Sequence, residues 1–73
     1  MKMRMYKVTY IKTGSGENAQ YDFVYISTCD RLKSGKLIEN ISGVIEAFEE
    51  IAFGWGTYEN QNAIVNIALV YEA

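Results

Sequence analysis

Histidine and proline are absent from this 73-residue chain, and cysteine occurs once, at position 29. Without histidine there is no imidazole to ligate a metal or to shuttle protons near neutral pH. A single cysteine rules out an internal disulfide and fits a reducing, cytoplasmic setting. No apolar run is long enough to cross a bilayer. Met1-Lys2-Met3-Arg4-Met5 passes directly into alternating residues, which does not read as a signal peptide. Seventy-three residues are expected to form one domain with one small core, a size at which stability is marginal without a staple or a partner subunit.

Charge is unevenly spread. All seven basic residues lie at or before Lys36, against three acidic ones in that half, a surplus of four. From Leu37 onward there are six glutamates and no base. Either this is a solvated helix face combined with chance, or the surface is bipolar and suited to a charged partner or to self-association.

The clearest element is a helix over residues 42–54. Val44, Ile45, Phe48, Ile51 and Ala52 recur at helical spacing, with Glu46, Glu49 and Glu50 on the opposite side. Ser42 is the expected N-cap and Gly54 the expected stop. Phe48, in the middle of the apolar face, is the expected core anchor.

Before the helix, residues 3–12 and 19–28 alternate as two strands around the turn-forming Thr13-Gly14-Ser15-Gly16-Glu17-Asn18, a β-hairpin. The favoured pairing sets Tyr10 opposite Tyr21, Val8 opposite Phe23 and Tyr6 opposite Tyr25, collecting five rings on one face. A slip of one residue would split the rings between the two faces. Residues 29–36 read as a basic connection, and residues 37–41 as a continuation of the helix, a short strand or a separate turn. Residues 55–62 read as a loop. Ala63 to Tyr71 form a last strand with Val65, Ile67, Leu69 and Tyr71 on one face.

The expected fold is therefore α+β in the order ββαβ, a three-stranded (or four-stranded) antiparallel-containing sheet with one helix across a face. One helix leaves the second face bare. The favoured pairing puts Met3, Met5, Val24, Ile26, Ile64, Ala68 and Val70 there, which predicts a homodimer through that face.

No catalytic constellation emerges. The serines have no histidine partner, and Ser34 beside Lys33 or Lys36 is a weak Ser-Lys pair. Gly14-Ser15-Gly16 lacks the lysine and the following helix of a phosphate loop. Cys29 lacks a base and a resolving thiol. No enzyme activity, cofactor or metal site is expected.

Two features point to binding. Trp55, between Gly54 and Gly56, with Tyr58 close behind, resembles an interface hot spot or a plug at the end of the core. Arg4, Lys7 and Lys12 with Tyr6 and Tyr10 have the chemistry of a single-strand nucleic-acid platform. The first reading is a non-enzymatic protein-binding module using Trp55, Tyr58, Glu46, Glu49 and Glu50. Richness in isoleucine, lysine, asparagine and tyrosine fits an AT-rich bacterial or phage genome. That habit points to an inhibitor or adaptor of a host enzyme such as a nuclease or CRISPR effector. The alternative is the nucleic-acid binder, and exposure of the hairpin rings separates the two.

Overall fold

The computed structural model describes residues 2–55 and 63–73. Strands β1 (Arg4–Thr13), β2 (Gln20–Ser27) and β3 (Ile64–Glu72) and one helix, α1 (Ile41–Gly54), follow in the order ββαβ. The sheet is antiparallel throughout with spatial order β2-β1-β3, so the first strand is central. This is the α+β arrangement expected. A fourth strand is not formed among the described residues: the basic connection closes on itself through one bridge, Arg31 to Leu37. Leu32 of this connection and Ile38, just after it in residues 37–41, are buried in the core.

The hairpin register differs from the favoured one by a single residue. Tyr6 lies opposite Ile26, Val8 opposite Val24 and Tyr10 opposite Asp22. The rings are consequently divided: Tyr6 and Tyr10 point into the core, while Tyr21, Phe23 and Tyr25 are exposed on the other face. The physical reason is the identity of the residues exchanged. The observed register places Val24 and Ile26 under the helix, where aliphatic carbon is best used. Of the three rings sent to the wet side, Tyr21 and Tyr25 carry a polar tip that suits it. The turn accommodates this with an irregularity between Ile11 and Thr13 and with Gly14 at φ 78°. A Cβ at Gly14 would sit 2.5 Å from the Asn18 carbonyl oxygen, so the turn requires glycine there.

The helix begins one residue earlier than expected, and Ser42 is not its cap. Asn40, extended at φ −153°, accepts from the Gly43 N–H through its side chain at 3.1 Å. A Cβ at Gly43 would press on Ile38 at 3.3 Å, so glycine lets the first turn settle onto that buried side chain. Val44, Ala47 and Phe48 form the buried stripe, Ala52 is half-buried, and Ile45 and Ile51 lie exposed at its margins. The face is thus rotated from the expected one toward Ala47, whose small side chain permits close approach to the sheet. Gly54 is the last helical residue, but Trp55 follows in right-handed helical conformation, with its N–H on the Ala52 carbonyl.

A helix about 10 Å across spans roughly two strands spaced ~4.8 Å apart. Here the helix packs on the β2 side of the sheet. Ile64 and Ile67 of β3 are half-buried against the core, and Leu69 is half exposed. Two irregularities mark β3, between its partners of Met5 and Tyr6 and between those of Thr9 and Tyr10. In each, β3 carries the extra residue, so strict alternation along it fails. Ile64, Ile67 and Leu69 fall opposite Tyr10, Val8 and Tyr6 on the helix side, and Tyr71 falls opposite Met5 on the other. Of the seven residues expected on the bare face, Val24, Ile26 and Ile64 are therefore on the covered one. Met5 and Ala68 are on the bare face as expected.

Candidate protein-binding face

The helix-free face of the sheet is built from alternate residues. β1 supplies Met5, Lys7, Thr9 and Ile11, β2 supplies Tyr21, Phe23 and Tyr25, and β3 supplies Asn66, Ala68 and Tyr71. Four rings stand out into solvent: Tyr21 is 58% exposed, Phe23 44%, Tyr25 54% and Tyr71 54%. Phe23 and Tyr25 meet edge to face at 5.4 Å, and the Lys7 ammonium lies 4.3 Å from the Phe23 ring centre. Lys7 is the one charged residue that pairing places on this face among the described strand residues.

The residues singled out from sequence fall elsewhere. Trp55 is 42% exposed and packs on Tyr10 at 5.1 Å and on Phe48 at 6.1 Å, closing the end of the core. Glu46 and Glu49 are exposed on the outer side of the helix. Glu50 is half-buried and accepts from the Lys33 N–H at 3.0 Å, tying the basic connection to the helix. Tyr58 lies outside the described residues.

The proposed nucleic-acid set is not gathered on one surface. Tyr6 and Tyr10 are buried beneath the helix. Burial, aided by the Asp22 carboxylate across the strand pair, pushes the Tyr10 hydroxyl above its ordinary pKa. Arg4 is half-buried and donates to the Glu39 carbonyl at 3.1 Å, while its Nε is buried without a partner. Lys12 is exposed near the end of β1, and only Lys7 lies among the exposed rings.

Sequence reasoning therefore missed Tyr21, Phe23 and Tyr25 as a surface, although the signal was present. Val24 and Ile26 in the same strand are the better core formers, and choosing them as the buried set exposes the three rings.

Among the described residues no three histidine, cysteine, aspartate or glutamate side chains come together as a metal site. No described helix is long and apolar enough to cross a membrane. Cys29 is an exposed free thiol. No family model matches this chain, and comparison with curated proteins and with solved structures gives no match.

Proposed function

We propose that this chain is a small non-enzymatic protein-binding module that docks its helix-free sheet face on a protein partner. The observation that carries this reading is the exposure of Tyr21, Phe23, Tyr25 and Tyr71 on one sheet face, with Phe23 against Tyr25 and Lys7. Aromatic rings with polar tips are the side chains that lose least on ordering and gain most on desolvation at an interface. A module of this size acts by covering its partner's surface, which makes an inhibitor or adaptor of an enzyme the role we favour. The exposed Glu46 and Glu49, on the far side of the helix, would steer approach to a basic partner without forming the contact itself.

The same rings favour a second reading, in which single-stranded nucleic acid stacks on Phe23 and Tyr25. Charge weighs against it. Among the described strand residues Lys7 is the one base that pairing places on this face, and a polyanion gains little counterion release from one lysine.

The deciding experiment compares wild type with Phe23→Ser/Tyr25→Ser. Proteins captured from the native host by wild type should be lost with the double variant and retained by Glu46→Gln/Glu49→Gln. In parallel, titration with single-stranded DNA and RNA at two salt concentrations should show no tight binding. Salt-sensitive binding abolished by Lys7→Gln would replace the first reading by the second.

A further inference from the structure

We propose that two copies of this chain join antiparallel through their β3 edges, making one six-stranded sheet with its two-fold axis at Ala68. Backbone direction leads to this. The Met3 carbonyl accepts from the Ala73 N–H at 2.8 Å, and the Ile11 N–H donates to the Ala63 carbonyl at 3.0 Å. Odd residues of β1 therefore address β3, and even ones address β2, as the bond from the Thr28 N–H to the Arg4 carbonyl confirms. Lys7 opposite Ala68 and Thr9 opposite Asn66 continue the odd series. Between them, Ile67 and Leu69 lie opposite even residues and direct their N–H and C=O groups away from the sheet. Among the described residues nothing bonds to these outward groups.

Two outward-facing residues separated by one inward-facing residue are complementary to themselves under a two-fold rotation. Ile67 of one copy then exchanges both backbone bonds with Leu69 of the other, and Leu69 of the first with Ile67 of the second. Ala68 meets its own copy in the intervening non-bonded position, where side chains are closest and alanine is small enough to fit. In this register the Ile67 and Leu69 side chains of both copies meet on the helix side. That is the strip of sheet the helix leaves uncovered, and Leu69 is 50% exposed there. The pairing stretch holds no charge, and Glu72 comes opposite Ile64 of the other copy instead of opposite itself. The irregularities on either side of Asn66–Leu69 confine the pairing to one register. The opposite edge cannot substitute, because carboxylates occupy two of its outward N–H groups: Asp22 that of Phe23 at 2.8 Å, and Asp30 that of Ser27 at 3.2 Å.

This inference stands apart from the reading of the aromatic face, and its test separates them. Sedimentation equilibrium of wild type at about 100 μM should give twice the chain mass. Leu69→Lys should weaken association at least about tenfold while the circular dichroism melt stays cooperative. Ala68→Cys in a Cys29→Ser background should form a covalent dimer on mild oxidation, since non-bonded antiparallel neighbours lie at disulfide distance. Ser34→Cys in the same background should not. Phe23→Ser/Tyr25→Ser should leave the dimer intact. A wild-type monomer, a dimer that survives Leu69→Lys, equal crosslinking at positions 34 and 68, or dissociation by the aromatic double variant would each overturn the proposal.

Discussion

Strands β2 and β3 flank the same central strand, yet their free edges are finished in different ways. Along β2, Asp22 and Asp30 fold back onto the outward N–H groups of Phe23 and Ser27, and the helix packs on that side of the sheet. Along β3, no charged residue occurs before Glu72, and Leu69, Val65, Val70 and Tyr71 remain substantially exposed. Edge protection on β2 is a local matter of short acidic side chains reaching adjacent backbone. On β3 nothing local does this work among the described residues, which leaves the outward groups of Ile67 and Leu69 open.

The largest expected effect tests whether both sides depend on one core. Phe48 is 2% exposed and touches Tyr10 on the central strand. Removing its ring should cost about 3–5 kcal/mol, enough to leave a domain of this size largely unfolded. A urea titration of Phe48→Ala that follows wild type would show that the edges are held independently of the helix.

A smaller change should loosen the protected edge alone. Asp30→Ala removes the acceptor from the Ser27 N–H and should cost about 1 kcal/mol, given that the carboxylate is exposed. Amide exchange at Ser27 should quicken more than exchange anywhere on β3. Equal acceleration at both edges would break the contrast.

Amide exchange along β3 provides a sharper test. In the Leu69→Lys variant, the N–H groups of Asn66 and Ala68, bonded to β1, should be protected. Those at positions 67 and 69 should exchange quickly. Uniform protection along the strand would show that something already occupies the edge.

The smallest effect serves as a control common to both sides. The raised pKa of Tyr10 means that the folded state holds its phenolic proton more tightly than the unfolded chain. Its stabilisation is complete below the ordinary tyrosine pKa of about 10 and is lost as pH rises through the folded value. Thermal melts should therefore decline above about pH 10, and Tyr10→Phe should lessen that decline. A decline of the same size in Tyr10→Phe would assign it to other groups.

Element order and type were legible in the residues alone. Alternation marks two strands, the glycine-rich turn joins them, and helical spacing from Val44 to Ala52 marks one helix. Alternation defines two sets of side chains but not which set is buried, because a period of two is symmetric between the faces. That choice fell to the helix, which required Val24 and Ile26 beside Phe48, and it sent Tyr21, Phe23 and Tyr25 to the surface. The cap shows the same division. Asn40 and Ser42 are both able to cap, and with the helix starting at Ile41 it is Asn40 that accepts from the Gly43 N–H. The extra residues in β3 carry no local signature at all. They place Ile64, Ile67 and Leu69 opposite Tyr10, Val8 and Tyr6, and with that they decide which backbone groups face outward. Composition and periodicity thus determined the parts of this protein, while long-range packing decided which of its faces and edges are available to a partner.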